Sequence, residues 1–153
     1  MTTAEPVNDQ PCPVARSVDL IGDRWSLLIV RDAFDGMRRF SDFQRSLGVA
    51  RNILSDRLKK LVDAGVLQTE AAAEGSAYQA YVLTPRGESL FPVVLALRQW
   101  GEGNLFKPGE AHSLLLDKAT GQPVPPLRVL DAQGHELRPA QTWVRKLDAG
   151  DEA

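Results

Sequence analysis

Cysteine and histidine are scarce in this chain of 153 residues, which has one cysteine and two histidines. A single cysteine, Cys12, excludes a disulfide within the chain. Because His112 and His135 lie far from it in the sequence, the chain lacks the clustered ligands of a zinc site. We therefore predict no bound metal and no cofactor.

Long hydrophobic runs and the motifs of common enzymes are also missing. No apolar stretch approaches the roughly 20 residues of a membrane span, and the N-terminus lacks the basic and apolar regions of a signal peptide. There is no glycine-rich phosphate loop and no Gly-x-Ser-x-Gly elbow, and neither histidine has an obvious partner for catalysis. We predict a cytoplasmic protein that contacts no membrane and is not an enzyme.

The basic residues are concentrated in one segment of an acidic chain. The whole chain has a net charge of −2, whereas residues 38–61 hold seven cations and two anions and are therefore +5. A local basic patch of this kind can steer a protein toward phosphate even when the net charge is negative. The charge distribution therefore favours a nucleic-acid partner.

Residues 49–65 have the pattern of a helix with one buried and one polar face. Its apolar residues recur at helical spacing: Leu54, Leu58, Leu61 and Val62. Gly65 stands where a helix favours a left-handed residue after its C-terminus. The outward face combines short polar side chains with long cations: Arg51, Asn52, Ser55, Asp56 and Lys59. A helix that enters a DNA major groove has this character, but so does a solvated surface helix, and the surroundings decide between them.

Three further helices are predicted before this one. Each begins at a proline or at a capping side chain. The first starts at Pro13 and is stopped by Gly22. The second covers residues 24–34 and is capped by Asp23, and the third is a short helix through Leu47 capped by Ser41. Gly48 and Val49 form a tight turn between the short helix and residues 49–65. Two helices joined by such a turn form a helix-turn-helix.

The pattern after Gly65 predicts a β-hairpin followed by another helix. Residues 66–69 and 78–83 are predicted strands, joined by a turn at residues 74–76, and this hairpin would form a wing. Thr84 and Pro85 begin a helix that Pro92 should kink or divide. The apolar stripe of that helix is wide. A partner subunit would cover it, although packing against the first helix of the same chain is the alternative.

The two ends of the chain differ from this helical centre. Residues 1–11 are polar and predicted to form a disordered arm. Residues 107–153 are rich in proline and glycine, with predicted small strands at 114–116 and 127–130, a hairpin turn at 132–134 and a frayed end after Leu147. We predict a mainly α winged helix-turn-helix domain over residues 12–106, with a small β-rich C-terminal appendage.

Four stretches together resemble the HxlR family of bacterial winged-helix regulators, which are relatives of the MarR type. The stretches are CPVA with IGDRW (12–15 and 21–25), RRFSDF (38–43), NILSDRLKKL (52–61) and YVLTPRG (81–87). The resemblance covers about residues 12–106. It implies a dimeric winged-helix repressor or activator that binds near-palindromic operator DNA.

The resemblance also implies which residues contact DNA. The candidates lie in the helix-turn-helix: Arg39, Ser41, Arg51, Asn52, Ser55, Arg57 and Lys59. Asn52 and Ser55 would reach base edges, and Arg51 would do the same or hold a phosphate. The others would hold phosphates, except that Arg57 could instead turn inward and pair with an acid. Wings in this family often bear arginine. Residues 70–76 of this chain contain two acids and no arginine.

The resemblance points to a dimer seam and to a sensor. The seam would use the first helix and the helix that holds Phe91, Leu95 and Trp100. In several HxlR-type proteins a cysteine matching Cys12 senses oxidants or electrophiles, and a thiolate at a helix N-terminus is favoured by the helix dipole. A buried packing role for Cys12 is the alternative.

These observations favour a sequence-specific transcriptional regulator that acts as a homodimer on double-stranded operator DNA. The alternative function is a winged-helix module that binds other proteins and no DNA. The acidic wing is the sequence feature that favours this alternative.

Overall fold

A computed structural model of the chain describes residues 11–72 and 77–147. Its elements in chain order are α1 (Pro13–Ile21), α2 (Arg24–Phe34), α3 (Phe40–Leu47), α4 (Arg51–Asp63), β1 (Leu67–Ala71), β2 (Gln79–Leu83), α5 (Pro85–Glu88), α6 (Phe91–Asn104) and a 3-10 turn (Pro139–Gln141). The predicted arm before Pro11, the turn at 74–76 and the end after Leu147 lie outside the described residues. The mainly helical fold with a two-stranded wing is confirmed.

The chain divides into two compact units between Val94 and Leu95. The first unit contains the helix-turn-helix and the wing, and the second contains most of α6 and the C-terminal extension. Within the described residues, no helix is long and apolar enough to cross a bilayer. The same residues contain no group of three or more histidine, cysteine or acidic side chains that could hold a metal ion.

Capping side chains start the first two helices where the sequence predicts. Asp23 accepts hydrogen bonds from the N–H groups of Trp25 (2.9 Å) and Ser26 (3.0 Å), and so caps α2. At α1 the Cys12 sulfur accepts a hydrogen bond from the N–H of Ala15 at 3.4 Å. These local bonds satisfy N–H groups that have no partner inside the helix.

The start of α3 differs from the prediction that Ser41 caps it. The N-cap is Arg39, and the helix begins at Phe40. The carboxylate of Asp42, in the first turn, accepts a hydrogen bond from the N–H of Arg39 at 3.4 Å. Asp42 thus satisfies the N–H group of the N-cap residue from within the first turn. Ser41 therefore lies inside the helix, and its side chain is exposed.

The turn from α3 into α4 depends on glycine. Gly48 follows α3 with φ of 61°, and Gly65 follows α4 with φ of 74°. This left-handed conformation costs little only for glycine. Between the two glycines, α4 buries Leu54, Leu58 and Leu61 in one core with residues of α2 and α3, so that the opposite face of α4 is left to solvent.

The segment before α3 adds a short third pairing to the two strands of the wing. β1 and β2 pair antiparallel, from Leu67 with Leu83 to Ala71 with Gln79. Arg39 forms an additional antiparallel bridge with Ala80, and the Arg38 carbonyl accepts a hydrogen bond from the N–H of Tyr81 at 2.7 Å. The segment before α3 is therefore attached to the wing by backbone bonds.

The helix predicted after the wing is divided, as the proline at position 92 indicated. α5 ends at Glu88 and α6 begins at Phe91, which places Pro92 in the first turn of α6. A proline there removes only an N–H that has no partner inside the helix.

The second unit is held together differently from the prediction. The predicted strands at 114–116 and 127–130 are wrong, because residues 107–147 contain only isolated bridges, Leu116 with Pro123 and Leu130 with Glu136. Prolines at 123, 125 and 126 lack the N–H that a strand ladder needs. The predicted turn at 132–134 is present, with Gly134 at φ of 85°.

Side chains of α6 take the place of the missing ladder in the second unit. The Gln99 amide donates to the Pro125 carbonyl at 3.0 Å and accepts from the Leu127 N–H at 2.7 Å. Arg98 donates to the Ser113 carbonyl at 3.1 Å. The extension is thus fixed to the helix through its own backbone.

Candidate nucleic-acid interface

The exposed face of α4 carries the residues that the sequence assigned to base recognition. Asn52 and Ser55 are exposed, and so is Arg51 at the first position of the helix. Ala50, the N-cap, has no side-chain oxygen to occupy the first-turn N–H groups. A helix end of this kind favours an anion such as a phosphate.

Two arginines and a serine converge beside the wing. Arg39, Ser41 and Arg51 line an open cavity of about 640 Å³ together with Phe40, Ala77, Tyr78, Gln79 and Tyr81. The Arg51 guanidinium lies over the Phe40 ring, with 4.9 Å from its carbon to the ring centroid. We name this group of residues the basic cradle. Its two cations line the same cavity, and arginine is a residue type that contacts phosphates.

Arg57 is turned inward, which is the alternative that the sequence left open. Its Nε donates to Asp23 at 3.1 Å and its guanidinium also pairs with Asp56 at 2.5 Å. Its side chain is 30% exposed, against 76% for Lys59. Burial alone would raise the pKa of Asp23, but hydrogen bonds from Ser26, Trp25 and Arg57 outweigh it and hold that pKa below its usual value of 3.8.

Lys59 and Lys60 have different surroundings. Lys59 pairs with Asp63 at 2.7 Å on the exposed side of α4. The hydrogen bond and the charge of Asp63 raise the pKa of Lys59 above its usual value, so that it stays charged near neutral pH. Lys60 reaches back and donates to the Asp19 carbonyl at 3.1 Å.

The acid of β1 has a partner within the basic segment. Glu70 pairs with Arg38 at 3.5 Å, and both side chains are largely exposed. The pair neutralises one cation of residues 38–61. The tip of the wing, with the second acid at position 74, lies outside the described residues.

The three residues assigned to a dimer seam are not equivalent. Phe91 and Trp100 are 41% and 61% exposed, whereas Leu95 is only 5% exposed in the single chain. Leu95 lines a small cavity of the second unit with Leu115 and Val124. It packs inside its own chain and offers little surface to a partner.

Cys12 is an exposed free cysteine at the start of α1. The packing alternative required a buried side chain, so the exposure of Cys12 does not fit it. Within the described residues, His112 and His135 are also apart from each other: His112 lies against the ring of Phe106, and His135 lies 3.6 Å from Asp131.

Sequence reasoning missed the contribution of the turn end of the wing to the cradle. Tyr78 is 74% exposed and Gln79 follows it at the start of β2. A tyrosine at the start of the predicted strand 78–83 was the available signal, since tyrosine is common at binding surfaces. Only the fold brings them beside Arg39 and Arg51.

Residues 20–108 match the HxlR-like helix-turn-helix family. Among curated proteins, the HTH-type transcriptional regulator Rv3095 of Mycobacterium tuberculosis is 36% identical over 124 residues, which is 81% of this chain and 78% of that protein. The HTH-type transcriptional regulator YybR of Bacillus subtilis is 32% identical over 98 residues, or 63% of this chain and 78% of that protein.

Solved structures of similar proteins fall into two groups by coverage. The candidate transcription factor PA1607 is 49% identical with a TM-score of 0.86, over 91% of this chain and 97% of its own. PA1374 of Pseudomonas aeruginosa is 36% identical with a TM-score of 0.62, over 92% and 96%. The redox regulator HypR in its reduced form is 30% identical with a TM-score of 0.57, over 61% and 94%.

Proposed function

The chain belongs to the HxlR-like helix-turn-helix family of transcriptional regulators, and from this membership we propose that it binds operator DNA as a homodimer, with α4 in the major groove. The observation that carries the proposal is the basic cradle beside the exposed polar face of α4. Phosphate contacts fix a protein on the duplex, and base contacts read the sequence. The cradle and α4 have the residue types for these two tasks.

We assign the base contacts to Asn52 and Ser55. Both are exposed near the N-terminus of α4, where side chains of a helix-turn-helix reach base edges. Arg39, Ser41 and Lys59 would hold phosphates. The stacking of Arg51 on Phe40 directs its guanidinium toward the cradle, so we assign Arg51 a phosphate as well. Arg57 drops out of the assignment because Asp23 and Asp56 already engage it.

The protein-binding alternative rested on the acidic wing. Glu70 is paired with Arg38, so this acid serves an internal ion pair and does not present an isolated negative surface. The observation favours DNA over an acidic docking module.

Exposed apolar side chains support the homodimer. Val93, Leu97 and Trp100 follow one another at helical spacing on α6 and are 41%, 51% and 61% exposed. Val14 and Val18 form a similar exposed pair on α1. Contiguous apolar surface of this kind marks an interaction site. A two-fold dimer would place two α4 helices about 34–36 Å apart, the spacing of successive major grooves on one DNA face.

We further propose that Cys12 makes DNA binding responsive to oxidants or electrophiles. It is exposed and caps α1 through its sulfur, so modification of the sulfur would remove the cap. With no second cysteine in the chain, the products would be a disulfide to the partner subunit, a mixed disulfide with a small thiol, or an alkylated thiol. HypR, a relative in structure, is a redox regulator.

The proposed function is tested by measuring DNA binding of the full chain across a salt series. The DNA is the fragment upstream of the protein's own gene, compared with a random fragment of equal length. We expect tighter binding to the upstream fragment, and we expect Asn52→Ala to lose that preference while it retains its affinity for random DNA. Equal, salt-independent binding of both fragments would overturn the proposal.

The sensor role has its own test. Wild type and Cys12→Ser are treated with a quinone or with peroxide, and operator affinity is measured before and after treatment. We expect a change in the wild type alone. An unchanged wild type would leave Cys12 as a helix cap without a sensing role.

A further inference from the structure

The contacts of Arg57 and Lys60 indicate a second role for the basic segment, residues 38–61, besides phosphate contact. We infer that Asp23 is a positioning residue for DNA binding: through Arg57 it holds α4 at a fixed angle against the joint between α1 and α2. This inference rests on the proposed function, because it concerns how α4 is presented to DNA. Asp23 itself lies at the start of α2 and touches no part of the cradle.

Asp23 is a fixed anchor. Its Oδ1 accepts hydrogen bonds from the backbone of Trp25 and Ser26, and its Oδ2 accepts one from the Ser26 hydroxyl at 2.5 Å. These bonds lock the carboxylate to the first turn of α2. The Nε of Arg57 then donates to the same Oδ1 at 3.1 Å, across 34 positions of sequence. A charge-assisted bond to a fixed acceptor restrains the donor strongly.

A second contact lies one turn further along α4. Lys60 donates to the Asp19 carbonyl in the last turn of α1. Arg57 and Lys60 are three residues apart and therefore share one side of the helix. Their two acceptors belong to residues on either side of Gly22, the C-cap of α1. Two points on α4 are therefore tied to the short segment that joins α1 to α2.

These ties lie on a flank of α4 that is separate from its DNA-facing side. At 100° per residue, Arg57 is about 140° around the axis from Asn52 and about 160° from Ser55. A contact on one flank of α4 resists rotation of the helix about its axis. Such a rotation would displace Asn52 and Ser55 from base edges while the phosphate contacts adapt. We therefore expect the Asp23–Arg57 pair to matter for specific binding and little for random DNA.

The inference predicts an effect opposite in sign to simple electrostatics. Asp23→Asn removes a negative charge from a DNA-binding domain, which by itself would raise DNA affinity. Loss of positioning would lower affinity for specific DNA instead. Asparagine also caps helices well, so the start of α2 is preserved. Asp63→Asn is the matched control, since it removes one charge from the exposed Lys59 pair and touches no part of the joint.

The experiment uses the full chain and a DNA fragment that the wild type selects from a randomised library, with a random fragment for comparison. We expect Asp23→Asn to lose about tenfold in affinity for the selected fragment, the value of one good base contact, with its affinity for random DNA and its salt slope unchanged. Asp63→Asn should bind both fragments as tightly as the wild type or more tightly. Asp23→Asn binding the selected fragment at wild-type strength would overturn the inference and leave the proposed function standing. Failure of the wild type to enrich any sequence would overturn both.

Arg57→Gln alone keeps the inference testable if Asp23→Asn folds poorly, and the double variant adds a second test if both single variants fold. If the pair acts as one unit, Arg57→Gln reproduces the loss and the double variant loses no more than either single variant. If Arg57 holds a phosphate instead, its salt slope falls by about 0.9 and the two losses add. That second pattern would overturn the inference.

Discussion

The guanidinium of Arg51 lies over the ring of Phe40, with 4.9 Å between its carbon and the ring centroid. Phe40 is the first residue of α3 and Arg51 the first of α4, so the contact joins the starts of the two helices of the helix-turn-helix. A cation over an aromatic face keeps its N–H groups free at the edges for hydrogen bonds. The ring therefore positions the Arg51 guanidinium without occupying its N–H donors, as the proposed phosphate contact requires.

Replacing Phe40 with leucine tests this relationship. Leucine keeps apolar bulk in the core but offers no aromatic face, and an exposed cation–π contact contributes about 0.5–1 kcal/mol. We expect DNA affinity to fall by about twofold to fivefold, measured by fluorescence anisotropy. Phe106→Leu is the control, because Phe106 packs against His112 in the second unit with the two rings tilted by 57°. Equal affinities of the two variants would show that Arg51 needs no support from the ring.

Arg39→Ala tests the phosphate role of the cradle. Arg39 is exposed and lines the same cavity as Arg51. Removal of one phosphate contact should weaken binding to specific and random DNA alike and reduce the salt slope by about 0.9. Arg128→Ala, which removes an exposed cation of the extension, should leave the slope unchanged. A wild-type slope in Arg39→Ala would exclude Arg39 from phosphate binding.

Trp100→Glu tests the proposed dimer seam. A carboxylate in the middle of an apolar interface is costly to desolvate, so we expect light scattering to find a monomer at micromolar concentration where the wild type is a dimer. Trp143→Glu places the same charge at a residue that is 81% exposed in the extension and should remain dimeric. A wild type that is monomeric at this concentration would exclude the seam.

The pKa of Asp23 predicts how its contribution to stability depends on pH. The folded chain holds this pKa below 3.8, so folding favours the charged form, and the stabilisation is complete above the unfolded value and is lost as the pH falls through the folded value. Relative to Asp23→Asn, which does not titrate there, the extra stability of the wild type should be constant from pH 7 to about pH 5 and shrink below 3.8. Urea unfolding at each pH measures it. A gap that persists undiminished at pH 2 would contradict the assignment.

The parts of this fold that the sequence predicts are those governed by local chemistry. Asp23, Gly48 and Gly65 each act within a few residues of their own position, so the ends of α2, α3 and α4 follow from capping and left-handed turns. The wrong prediction that Ser41 caps α3 also concerns neighbouring residues. Both the Ser41 hydroxyl and the Asp42 carboxylate were available at the helix start, and the structure uses the carboxylate.

The parts that could not be predicted depend on distant partners. The acid that engages Arg57 is 34 residues away, and no periodicity within α4 identifies it. Leu95 belongs to the apolar stripe of its helix, but it is buried beside residues of the extension. The spacing of apolar residues along the helix does not predict where the extension lies. The cradle likewise combines residues from the start of α3, from α4 and from the β2 side of the wing, which are separated in sequence.

The attachment of the extension has an evolutionary consequence. Gln99 holds the extension by main-chain groups at Pro125 and Leu127, whereas Arg98 donates to both the carbonyl and the hydroxyl of Ser113. Main-chain carbonyls and N–H groups are present whatever side chains accompany them. Substitution of Leu127 can therefore leave the bonds of Gln99 in place, while Gln99 itself stays under constraint. An appendage held in this way can change exposed side chains while its attachment to α6 persists.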